Sequence, residues 1–191
     1  MDKPARRLHL NRRSTAKESG TEIPRTLLEA AMNDATWSLV TDVVDRVQQS
    51  IRMTDYPAIV ILDGDRRQIL SDYDYVQSET ARTGFETRAA ELARTLHARR
   101  FTFAVPQIIE TVPGSLEAHA FSVRPLRDGE QESVVWTAYD ADDGVDYGWA
   151  PYTRQPGGQP VFDEPTTFHL RALSTDGFPG VRLLRLLTDD E

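Results

Sequence analysis

The spacing of apolar residues changes once along this chain, and that change limits the fold more than any single motif does. From Pro24 onward Leu28, Ala31 or Met32, Ala35, Leu39, Val43, Val47 and Ile51 recur at helical spacing through about Arg52. Glu29, Asp34, Asp42, Asp45, Arg46 and Gln49 occupy the opposite face, so the pattern predicts one long amphipathic helix laid against a sheet. Trp37 and Val40 widen the apolar stripe and extend it toward a second partner. Phe85, Ala89, Leu92, Ala93 and Leu96 mark another helix from about Gly84 to Arg99. Beyond it the period falls to two: Phe101, Phe103 and Val105, then Phe121 and Val123, then Val134, Trp136 and Ala138 set against Val135, Thr137 and Tyr139.

Between the helices, Pro57 stops the helical pattern and Ala58 to Leu62 is apolar throughout, as in a strand buried on both faces. Asp63-Gly64-Asp65 turns the chain, and Arg67 to Ser71 returns as the second strand of a hairpin. Asp72 to Gly84 reads as a loop or frayed helix. Pro113-Gly114 and Arg127 to Glu130 are turns within an antiparallel meander, and a later strand is expected at Thr166 to Leu173. The Leu-rich tail, Pro179 to Leu187, fits neither period. The expected class is α+β: a mostly antiparallel sheet covered on one face by the long N-terminal helix and a second helix, in helix-hairpin-helix-meander order.

The 191 residues suit one domain, expected over 23–191, behind a flexible basic arm over 1–22. Six basic residues against one acid put the first 17 residues at +5 and the rest at −13, out of a net −8. An acidic body repels phosphate backbones, so nucleic-acid contact would run through Arg6, Arg7, Arg12 and Arg13. The absence of cysteine excludes disulfides, thiolate metal sites and cysteine nucleophiles. No apolar run exceeds Ala58–Leu62, far short of a bilayer span, and no apolar stretch follows the basic N-terminus, which together point to the cytoplasm.

Acids, glycines, prolines and aromatics are densest between Tyr139 and Pro165, which reads as a long structured connection of the kind that carries function. Asp140, Asp142, Asp143 and Asp146 supply the carboxylate oxygens that Ca²⁺ or Mg²⁺ prefers, although Gly144 falls where an EF-hand loop needs an acid. The plainer reading is an acidic turn whose carboxylates cap backbone amides. Tyr147, Trp149, Tyr152 and Phe162 either line a ligand or partner surface or pin the connection to the sheet. His119 and His169 fall in expected strands, where general acid–base chemistry with Asp140 or Asp146 requires them to meet across the sheet. No nucleophile elbow, phosphate loop or dinucleotide fingerprint occurs.

Asp142-Asp143-Gly144-Val145-Asp146-Tyr147-Gly148, Pro151-Tyr152 and Pro160-Val161-Phe162, with Phe103-Ala104-Val105-Pro106-Gln107, resemble a run found in uncharacterised actinobacterial proteins. The resemblance covers about the C-terminal half and implies a bacterial cytoplasmic origin but no activity. The leading expectation is a non-catalytic interaction or regulatory module without a cofactor. It would hold a protein partner through its sheet and the 140–165 segment, and an exposed stripe on the first helix would favour a homodimer. The rival is a hydrolase or ligand-processing enzyme using the acidic segment with a divalent cation. Nucleic-acid binding through the basic arm is the third reading.

Overall fold

The computed structural model describes residues 32–112, 115–121, 125–167 and 178–188, so the stretch of the expected first helix before residue 32 lies outside the described residues. These belong to one compact unit, Ala31–Glu191; the expected arm, with Arg6, Arg7, Arg12 and Arg13, lies outside the described residues. Helix α1 spans Asp34–Arg52. Asn33 adopts extended backbone and its side chain accepts the Thr36 N–H at 2.9 Å, so it caps the helix and fixes where it starts. Strands β1 (Ala58–Asp63) and β2 (Arg67–Asp72) form the expected hairpin, with Leu62 opposite Gln68 and Asp63 opposite Arg67. Helix α2 (Glu79–Thr95) starts five residues before the expected Gly84, because Ser78 accepts the Ala81 N–H at 3.1 Å and caps it.

The remaining strands are β3 (Arg100–Val112), β4 (Ser115–Ala120), β5 (Glu130–Asp140), β6 (Gly144–Arg154), β7 (Pro160–Phe162) and β8 (Thr166–Thr167). Helix α3 (Val181–Thr188) closes the described chain and decides the ambiguous tail in favour of helix. Every strand pair is antiparallel, and the sheet runs β2-β1-β3-β5-β6-β7, with β4 on β3 and β8 on β6. The fold is therefore α+β with a wholly antiparallel sheet among the described residues.

The two helices do not share a face. Ile59 and Ile61 point to α1, where they meet Leu39, Val40, Val43, Val44, Val47 and Ile51 together with Val134, Trp136 and Ala150. Ala58, Val60 and Leu62 point the other way, to Phe85, Ala89, Ala90, Ala93 and Leu96 of α2 and Leu183 of α3. A strand apolar at every position needs cover on both sides, and α1 and α2 supply it from opposite sides. The six α1 side chains contribute about 10–15 kcal/mol of gross burial before ordering costs.

The expected long connection over 140–165 is instead mostly strand. A tight turn at 141–143 sends β6 back along β5, with Asp140 opposite Gly144 and Ser133 opposite Pro151. Gly148 lets the two strands pass the Trp136 indole: a Cβ there would collide with the indole ring and with the Thr166 carbonyl oxygen.

Candidate functional site

Asp140 lies at the end of β5, 2 % exposed, beneath the first turn of α1. Its carboxylate accepts the Arg100 Nε–H at 2.6 Å, the Thr36 hydroxyl at 2.9 Å, the Asn33 side-chain amide at 3.0 Å and the Asp142 N–H at 2.8 Å. Burial acts to raise its pKa, but the hydrogen bonds from Asn33, the Asp142 N–H, Arg100 and Thr36 outweigh it and hold the carboxyl well below the usual range. Asp140 is thus a clamp between helix and sheet. Asp142 pairs on the surface with Arg99 at 2.8 Å, and Asp143 accepts from Asn33. Asp146 is half-buried, and burial together with the Asp143 charge pushes its carboxyl up. Among the described residues no three His, Asp or Glu side chains gather around a point that would hold a metal ion. Asp140 and Asp143 meet at the Asn33 amide, and Asp140 and Asp142 are further engaged by helix capping and by pairing with Arg100 and Arg99.

The aromatic set divides as well. Alternation along β6 sends Tyr147 and Trp149 toward Ile109, Val135, Phe178 and Val181, whereas Tyr152 turns to the α1 side. Tyr152 is 1 % exposed, packs on Phe162 at 4.8 Å and donates its hydroxyl to Glu132 at 3.3 Å. Glu132 is gripped in turn by Arg154, Nε to Oε2 at 2.9 Å and Nη2 to Oε1 at 3.0 Å. These residues pin the strands, and no single surface contains all four aromatics. His119 sits beside Glu110, Nε2 to Oε2 at 3.2 Å. It is opposite Ile108 on β3, eight residues along that strand from Arg100, which faces Asp140. At about 3.3 Å per residue that separation is roughly 26 Å, so His119 and Asp140 cannot share a proton. His169 lies outside the described residues.

A different site emerges beside α1. Trp37, Thr41, Asp45, Gln48 and Arg52 follow one another at intervals of three or four along a single helix flank. They form one wall of a groove of about 400 Å³ whose other wall is Phe162 to Pro165, where the chain passes from β7 to β8. Trp37 is 36 % exposed and rests edge-on against the buried Trp136, with ring centres 6.1 Å apart. The Arg52 guanidinium lies 4.8 Å from the centre of the Phe162 ring. The Asp163 N–H bonds the Pro151 carbonyl at 2.9 Å and fixes the far wall to β6. Asp45, Asp163 and Glu164 line the groove as exposed carboxylates without ion-pair partners among the described residues, and Arg52 is its one guanidinium.

Of the residues singled out in the sequence as binding candidates, only Phe162 belongs to this groove. Trp37 carried a weaker signal, as the residue that widened the α1 stripe. Asp163 and Glu164 fell within the Tyr139–Pro165 stretch singled out as a whole, and Asp45 stood among the polar residues of the first helix; nothing in the sequence joined them, because only topology places them together. No family model, no curated protein and no solved structure matches the chain.

Proposed function

We propose that this protein is a non-catalytic interaction module of the cytoplasm, and that the groove between α1 and the 162–165 segment receives a short basic segment of a partner protein. The observation that carries the reading is the pairing of an exposed aromatic wall, Trp37, with three unpaired carboxylates, Asp45, Asp163 and Glu164. An apolar side chain of the partner seats between Trp37 and Phe162, and flanking lysines or arginines neutralise the rim. Tryptophan already half-covered by a fixed neighbour loses little freedom on binding, which suits it to anchor a contact.

A homodimer through the α1 stripe loses its basis, because Leu39, Val43, Val47 and Ile51 are buried against the sheet. Self-association through a sheet edge would use β2, with Ile69 exposed, or β7, with Val161 exposed.

Selection of a random peptide library displayed on phage against the full chain tests the groove. Enriched peptides carry a Leu, Phe or Trp flanked by Lys or Arg. Synthetic versions bind Trp37→Ala about thirtyfold more weakly, the loss of a hot-spot side chain, and bind Asp163→Lys more weakly still at low salt. Peptides that are acidic, or that bind Trp37→Ala as well as the parent, would defeat the proposal.

A further inference from the structure

The opposite side of the molecule holds a second concavity, more enclosed than the groove and reversed in charge. It has a volume of about 450 Å³ and lies between α2 and α3, within the range of small-molecule sites. Arg82 enters from α2, and Arg182 and Arg185 from α3. Two acids share it. Glu79 is exposed and stands 3.4 Å from Arg82. Glu86 is buried, and its oxygens accept the Tyr75 hydroxyl at 2.6 Å and the Leu183 N–H at 2.9 Å. The buried acid is thereby consumed in holding α3 to α2. Its neighbour Tyr75 is kept as a protonated donor by burial and by the Glu86 charge.

What the fold leaves over is positive. The Nε of Arg82 is shut off from solvent with no hydrogen-bond partner, although its guanidinium lies over the Tyr75 ring at 5.6 Å. Arg182 has no ion-pair partner among the described residues. With Arg82, Arg182 and Arg185 set against Glu79 and Glu86, the cavity wall is one positive charge ahead on a body of net charge −13 outside its first 17 residues, and a planar donor fork matches carboxylate and phosphate oxygens. The walls add an apolar part: Phe178 and Val181 are buried at its inner end and Leu186 is half-buried.

We propose that this cavity binds a small organic oxyanion, a carboxylate or phosphate monoester carried on an apolar body, with Arg82 and Arg182 gripping the charged head. The site lies on the α2–α3 side of the sheet and is independent of the peptide groove beside α1.

Isothermal titration calorimetry of the full chain with phenyl phosphate, phenylacetate and the neutral benzyl alcohol, at constant ionic strength, decides it. Saturable heat is expected from one or both anions and none from the alcohol; which anion binds more tightly identifies the head group. Arg182→Gln, an exposed substitution that leaves the fold intact by circular dichroism, weakens binding about tenfold, the loss of one charge-assisted contact. Arg82→Gln does the same or more. Binding of the alcohol equal to that of the anions, absence of saturable heat from both anions, or unchanged affinity in Arg182→Gln would each overturn the assignment.

Discussion

Replacing Asp140 by Asn removes one charge and almost no volume, so it isolates what the carboxylate does between α1 and the sheet. One oxygen accepts from Arg100, Thr36 and Asn33 and the other from the Asp142 N–H. An amide can present its oxygen to only one of these groups. Its NH₂ must then face either the Asp142 N–H or the cluster of three donors, leaving a buried donor opposed by a donor at about 1–3 kcal/mol. Loss of the charge-assisted contact with Arg100, which is part-exposed and retains Asp63 at 3.4 Å, adds about 1 kcal/mol. The expected destabilisation is about 3 kcal/mol at pH 7, or roughly 6–12 °C in midpoint for a domain of this size. The Asp140 pKa is depressed in the folded protein, so the unfolded chain binds its proton first. The carboxylate's contribution is complete above the ordinary aspartate value of about 3.9 and is lost as pH falls from there toward the folded value. Urea unfolding followed by tryptophan fluorescence at pH 7 and pH 3.5 therefore shows the gap between parent and Asp140→Asn narrowing in acid. Asp142→Asn, which loses only a surface pair with Arg99, changes stability by less than about 0.5 kcal/mol. A gap under 0.5 kcal/mol at pH 7 for Asp140→Asn, or one that stays constant with pH, would refute the clamp.

Three further substitutions test other parts of the fold. Gly148→Ala drives a methyl into the Trp136 indole and the Thr166 carbonyl and costs about 2–3 kcal/mol in urea unfolding. Thr54, a β-branched residue at φ 65° just past the end of α1, gains about 1 kcal/mol on replacement by Gly, read as a higher thermal midpoint. Glu86→Gln keeps an oxygen for the Leu183 N–H but replaces two charge-assisted bonds by weaker neutral ones; it costs about 1 kcal/mol and speeds amide hydrogen exchange first in α3.

The change in period was enough to read the element order, both helices, the β1–β2 hairpin and the antiparallel meander. It was not enough for their placement. Ala58–Leu62, apolar at every position, already demanded cover on two faces, and its own composition argued against putting both helices on one. The 144–154 segment hid as a loop because its glycines and Pro151 broke the strand signal, although Val145, Tyr147 and Trp149 alternate. The aromatics split between the two faces of the sheet, Tyr147 and Trp149 on one and Tyr152 with Phe162 on the other, since a two-residue period sends alternate side chains of β6 to opposite sides. The groove joins α1 to a segment more than 100 residues away, and such a pairing has no local signature.

The three tryptophans, Trp37, Trp136 and Trp149, give a direct test of where the partner sits. In a ¹⁵N–¹H spectrum of the full chain, with indole signals assigned by Trp→Phe substitution, a basic peptide with one central leucine is titrated to saturation. The Trp37 indole signal moves in step with binding, while that of Trp149, on the other face of the sheet, stays in place. Saturation of the peptide with no movement at Trp37, or movement confined to Trp149, would contradict the groove as the binding face.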